Sequence, residues 1–177
     1  KRSLTGQYLS NRKEIKFPKN ISVQLFRGFF LFLSTVFFFY AISIISLAQA
    51  LTLAFVSPII VTILSIFYLK EKVGIHRWSA VIIGFIGVLI IIRPGFLEIN
   101  FASISAIGAG TAYAFYIIYT RKLSFIDSPI VTLLFTGVVG CILISIILPF
   151  YWINLDMRQL LLLILLASIG TLGHFLI

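Results

Sequence analysis

Six long apolar stretches fill most of the chain: Ile21–Ser43, Ser46–Leu69, Trp78–Ile92, Phe101–Thr120, Pro129–Phe150 and Leu160–Ile177. Most approach the ~20 residues that cross ~30 Å of hydrocarbon at a rise of ~1.5 Å per residue. Lipid offers the backbone no hydrogen-bond partner, so each stretch is predicted to be a helix that closes its own hydrogen bonds. The fold class that follows is all-α, a polytopic transmembrane bundle. The link Ile45–Ala48 is short enough to make a hairpin of the first two helices. Gly74 is placed to stop the second helix, Ile75–Trp78 lengthens the third, and Arg93-Pro94-Gly95 breaks it. Asp127-Ser128-Pro129 reads as the cap and first turn of the fifth helix.

Composition agrees with that reading. Hydrophobic residues make up 60% of the 177 positions and mean hydropathy is +1.14. Soluble chains stand near one half, and one core of this size does not hide the surplus. The net charge of +9 would suit nucleic acid, but its placement does not. Of fourteen Lys and Arg, all but Arg93 and Arg158 lie before or just inside the first stretch, or in the gaps at 70–77 and 121–128. That alternation is the positive-inside pattern, which puts residues 1–20 and those two gaps in the cytoplasm. The cations are topology determinants and headgroup anchors, with Lys70, Lys72, Arg121 and Lys122 foremost. The lipid bilayer is therefore a partner and nucleic acid is not, since no aromatic side chains interleave the basic gaps. The Ile/Phe/Lys-rich composition hints at an AT-rich bacterial genome, which bears on source only; the localisation expected is multi-pass in a bacterial inner membrane.

Cys141 is the single cysteine, so no intrachain disulfide forms, and a packing role suffices for it. His76 and His174 are far apart and lack companion ligands, so no metal site is expected, and no cofactor. The chain opens on Lys1 and closes inside an apolar stretch, which reads as an internal piece of a longer protein. Gly84 and Gly87 on the third helix, and Ala106, Gly110 and Ala114 on one face of the fourth, mark close helix packing.

Several motifs taken together resemble a known family. They are Leu25-Phe26-Arg27-Gly28, Leu47-Ala48-Gln49-Ala50-Leu51, Ser57-Pro58-Ile59, Leu69-Lys70-Glu71-Lys72-Val73, Arg77-Trp78, Gly84-Phe85-Ile86-Gly87, Ala112-Tyr113-Ala114 and Gly170-Thr171-Leu172-Gly173-His174. The chain is similar to the drug/metabolite transporter superfamily, in particular its EamA-type members, over nearly all of residues 24–177. The resemblance implies ten helices in two inverted five-helix repeats with both termini cytoplasmic. Six of the ten are present: residues 21–95 map to the end of the first repeat and 100–177 to the start of the second, with 1–20 as a basic connector. Four helices and half of the cavity wall are absent from that map.

Polar groups inside a membrane carry a functional hypothesis each. Arg27 either snorkels to the headgroups, the reading favoured here, or faces a vestibule and attracts anionic solutes. Gln49 and Ser57 are eight residues apart, roughly on one face. Pro58 beside them removes a backbone donor and exposes a carbonyl one turn earlier. These residues form either a kinked packed helix or a discontinuous lining near the midplane. Tyr113, Tyr116 and Thr120 follow helical spacing (i, i+3 and i+7), and Tyr40 is a similar candidate; the stripe serves packing or a solute cavity. Glu71, between two lysines at the membrane edge, makes a solvated ion pair or acts as a helix-end charge; the resemblance adds closure of a cytoplasmic gate. His174 is either a proton relay or a neutral hydrogen-bond partner, and the resemblance places it toward the cavity.

The function expected is secondary transport of a small organic metabolite by alternating access, with no Walker motif and so no ATP. The solute classes the resemblance implies are amino acids, drugs or S-adenosylmethionine-like compounds. A small-molecule solute is thus the main partner, and a homodimer is the protein partner considered. A membrane-embedded enzyme and a structural membrane subunit are the alternatives; the lone deep histidine has no evident catalytic partner, so no catalytic residue is named.

Overall fold

The computed structural model describes residues 18–92 and 100–176, with side chains over 18–90 and 100–172. The connector up to residue 17, the Arg93-Pro94-Gly95 breaker and the His174 side chain lie outside the described residues. In chain order the helices are α1 (Ile21–Ile42), α2 (Leu47–Ala54), α3 (Ser57–Leu69), α4 (Ile75–Ile92), α5 (Phe101–Ser124), α6 (Pro129–Ile147, continued by a 3-10 turn Leu148–Phe150) and α7 (Met157–Leu176). Four spans are long and apolar enough to cross a bilayer: α1, Leu47–Leu69, α5 and Pro129–Phe150. Ile75–Ile90 and Met157–Leu172 are shorter apolar helices. The chain divides into a unit ending at Leu143 and a second unit from Ile144 that holds α7.

Local chemistry explains the ends. Ser46 accepts from the Gln49 N–H at 3.3 Å while the Gln49 side chain accepts from the Ser46 N–H at 3.2 Å. This reciprocal cap starts α2 directly after the hairpin turn. Asn100 Oδ1 accepts from the Ser103 N–H at 2.9 Å to begin α5, and Ser128 Oγ from the Val131 N–H at 3.4 Å to begin α6. Arg121 and Lys122 fall within the last turn of α5, where cations complement the helix dipole.

Two expectations need correction. Gly74 does not stop the second helix. The helix ends at Leu69, with Lys70 in the left-handed conformation (φ 55°), and Gly74 instead offers its carbonyl to Arg77 N–H and Trp78 N–H at the start of α4. The second apolar stretch is also two helices, interrupted at Phe55-Val56. Pro58 has no N–H to give the Ala54 carbonyl, so the ladder fails one turn before it.

The first unit is built around α5. Side-chain contacts from Phe26–Tyr119 through Ser34–Ala109 to Phe37–Gly108 run α1 antiparallel to it. On its other flank the α2–α3 span runs alongside, from Ala50 near Ala106 to Val61 against Ala114 and Ile118. The burial pattern inverts that of a soluble protein. The buried residues are largely small, with Ala41, Ala50, Ala106 and Ala114 fully enclosed, while Phe67 is 77% and Phe125 83% exposed. Lipid solvates large apolar side chains as well as protein does, so close approach at small residues holds such helices together. Gly110 is the tightest case: a Cβ there would lie 2.4 Å from the Ala54 carbonyl oxygen. The carbonyl that Pro58 leaves free is the one received at Gly110. Gly28 likewise sits against Val139, whose Cβ would be 2.7 Å from an added methyl. Gly84 and Gly87 differ from this: an added Cβ meets only Phe55 at 3.9 Å in the first case and nothing within 4 Å in the second. Gly84 thus meets the end of α2 only loosely, and Gly87 meets no helix among the described residues.

Candidate functional site

One end of the first unit gathers its polar side chains. Arg27, nearly two turns into α1, is 2% exposed. Its guanidinium donates to Thr120 Oγ1 of α5 at 3.4 Å and, on α6, to the Thr132 carbonyl and Thr136 Oγ1. The Tyr116 ring lies 5.4 Å from Arg27 Cζ. The headgroup-snorkelling reading therefore gives way: the cation is clasped by neutral oxygens and a ring face between three helices. The reason is positional, because Thr120, Thr132 and Thr136 come from elements that only the fold brings beside α1. One turn earlier Gln24, fully buried, donates from Nε2 to Asp127 Oδ2 at 2.9 Å and to Thr132 Oγ1 at 3.5 Å. The backbone N–H of Lys19 donates to the other Asp127 oxygen at 3.2 Å. Arg27 Nε and Gln24 Oε1 have no partner among the described residues. Gln24, Thr132 and Thr136 escaped the sequence reading, since single amide and hydroxyl residues in apolar helices carry no pattern, and Asp127 was read only as a helix cap.

Beside this clasp stands a second contact. Glu71 pairs with Arg121 of α5 at 3.0 Å and with Arg77 of α4 at 3.7 Å, not with the flanking Lys70 and Lys72. The left-handed turn at Lys70 reverses the chain and aims the carboxylate at α4 and α5. Lys122 Nζ lies 5.0 Å above the Tyr68 ring, a cation–π contact.

The other candidates are scattered. Gln49 is spent in the α2 cap, and the break at Phe55-Val56 separates it from Ser57 and Pro58, so the three share no lining. Tyr40 is 45% exposed near the far end of α1. Tyr113, 42% exposed, packs on Tyr116 with centroids 5.6 Å apart, and through Tyr116 it reaches Arg27. Ala106, Gly110 and Ala114 line the buried face of α5. A shallow, nearly all-apolar groove of about 360 Å³ opens between α1 and α5 beside Phe30, Leu33, Phe37, Gly108, Thr111 and Phe115.

The inverted burial, the apolar spans and the polar clasp among them define an all-α, multi-pass membrane protein. Residues 5–93 match the EamA-like transporter family, and the chain belongs to that family, within the drug/metabolite transporter superfamily. It is 43% identical over 81 residues to the "Riboflavin transporter" of Vibrio cholerae, covering 46% of this chain and 27% of the relative. It is 28% identical over 155 residues to the "S-adenosylmethionine uptake transporter" of Rickettsia bellii, covering 88% of this chain and 53% of the relative. The protein of the same name from Rickettsia conorii is 28% identical over 153 residues, covering 86% and 52% of the two chains. The chain thus spans about half the length of the longest-matched relatives. No solved structure matches it significantly.

Proposed function

We propose that the whole protein is a secondary carrier moving a small heteroaromatic metabolite across a bacterial inner membrane by alternating access. Riboflavin and S-adenosylmethionine, the solutes in the relatives' names, share one chemical feature: a flat nitrogen heterocycle on a polar, flexible tail. The observation that carries the mechanism is the clustering of polar links at one end of the first unit. Arg27 to Thr120, Thr132 and Thr136, Gln24 to Asp127, and Glu71 to Arg121 all join residues before Arg93 to residues after Asn100. In the repeat assignment, residues 21–95 close the first repeat and 100–177 open the second. These contacts are then the latch between the repeats. By charge placement the latched end is cytoplasmic. Small apolar contacts such as Ala41 and Ala50 with Ala106 form the seam at the opposite end.

The latch is built to open. Arg27 is held by neutral oxygens, so releasing it exchanges hydrogen bonds and strands no buried carboxylate. Glu71 has a side chain 30% exposed and its contacts are screened by solvent and salt. Uptake of tritiated riboflavin and S-adenosylmethionine into proteoliposomes of the full-length protein tests the reading. Saturable uptake of either, slowed in Glu71→Gln, supports it. Absence of flux for both, with the protein correctly inserted, rejects it.

A further inference from the structure

Between α1 and α5 the aromatic side chains form a ladder that breaks off halfway. Phe26 lies 6.4 Å from Tyr119, Tyr119 5.8 Å from Phe30, and Phe30 5.0 Å from Phe115, with interplanar angles of 18°, 16° and 19°. These near-parallel rings alternate between the two helices. One turn further on, the facing residues are Leu33 on α1 and Thr111 on α5, neither aromatic, and there the groove of about 360 Å³ opens. Beyond it Phe37 closes the row. It lies over Gly108, where a Cβ would fall 3.1 Å from the Phe37 ring.

We propose that this gap is the binding site for the flat heterocycle of the transported solute, which takes the place of the absent rung. The proposal rests on the carrier reading and adds where, and by which residues, the ring is held. Phe30 and Phe37 are two helical turns apart, about 10 Å at ~1.5 Å per residue. Phe115, stacked on Phe30 at 5.0 Å, bounds the same opening from α5, so a flat ring at the level of Leu33 and Thr111 comes within the range of about 4.5–7 Å at which aromatic pairs interact. The volume lies in the lower range of small-molecule sites, roughly 300–1,000 Å³. Height agrees as well: Leu33 is midway along α1 and Thr111 midway along α5, and carrier sites lie near the midplane. Thr111 Oγ1 donates to the Ile107 carbonyl at 2.9 Å, which leaves its lone pairs to accept an N–H at the edge of the heterocycle. The nearly all-apolar walls suit the ring and not the polar tail. That tail points toward the end of the bundle where Arg27 and Tyr116 stand. Gly108 has a reason of its own here, since a side chain would push Phe37 into the gap.

Binding, measured apart from transport, is the test. Full-length protein in nanodiscs is titrated with riboflavin, followed by its own fluorescence, and with tritiated S-adenosylmethionine. At least one probe is expected to bind. Phe30→Leu and Phe115→Leu, which keep the apolar volume but remove a ring, are each expected to weaken that binding about tenfold or more, the usual scale for one stacked ring. Leu33→Trp fills the gap and is expected to abolish binding while Tm holds or rises, so loss of fold does not explain the result. Three outcomes overturn the proposal: neither probe binds, binding ignores all three substitutions, or native mass spectrometry finds a phospholipid in the groove that Leu33→Trp expels while the probes still bind. Ring-dependent binding without flux leaves this site standing and removes the carrier reading. Flux indifferent to the ring substitutions does the reverse.

Discussion

Glycine at position 110 is a backbone contact written as a residue type. Its missing Cβ makes room for the Ala54 carbonyl oxygen, which would stand 2.4 Å from it. A peptide group cannot swing aside as a side-chain tip does, so Gly110→Ala forces α2 away from α5. The expected loss is about 1–3 kcal/mol, seen as a lower Tm in detergent. Gly74 is the control: it has nothing within 4 Å of an added methyl and no positive φ, so Gly74→Ala is expected to shift stability by less than about 0.5 kcal/mol. Lys70 offers the opposite sign. An L-residue held at φ 55° carries about 1–2 kcal/mol of strain, and glycine carries none. Lys70→Gly is expected to raise Tm. An unchanged or lower value would show that the lysine side chain compensates at the membrane surface.

Among the elements, the broken second span shows how one residue sets the shape of a helix and the use of a neighbour. Pro58 leaves the Ala54 carbonyl without a donor, the helix restarts at Ser57, and the freed carbonyl is seated against α5. Pro58→Ala restores an N–H four residues after Ala54. It is expected to slow hydrogen exchange of the Val56–Ile59 amides, read by mass spectrometry, as the helix closes up. Exchange as fast as in the parent would mean that packing against Gly110, and not the missing donor, imposes the break. The break was partly legible beforehand. Proline in an apolar stretch foretells a lost hydrogen bond, but the receiving position on α5 lies more than fifty residues away and leaves no local mark.

For the whole molecule, orientation is the property on which the rest turns. Charge placement puts Lys72 and Lys122 on one side of the membrane and the link around Asn154 on the other. With Cys141→Ser as background, single cysteines at those three positions in the full-length protein report sidedness in sealed vesicles. Impermeant maleimide is expected to reach Lys72→Cys and Lys122→Cys from the cytoplasmic face and Asn154→Cys from the opposite one. Labelling of Lys72→Cys and Lys122→Cys from different faces would undo the latch, because Glu71 would then not meet Arg121.

The helical character of the apolar stretches and their lipid environment are local consequences of composition: twenty apolar residues in a row have one stable backbone in hydrocarbon, whatever lies beside them. The charges between them are equally local. Side-chain destinations are not, because a helical residue reads the same whether it faces lipid, a neighbour or a groove. Hence Arg27 was assigned to the headgroups, Glu71 to an ion pair without a named partner and Gly87 to a helix contact, while Gln24, Phe30 and Phe115 drew no notice. Only the antiparallel pairing of α1 with α5 brought Thr120 to the guanidinium and set the rings in register with a gap at Leu33, and only the approach of α6 added Thr132 and Thr136. Pairing depends on shape complementarity between surfaces remote in sequence, and no periodicity along a single strip of chain records it.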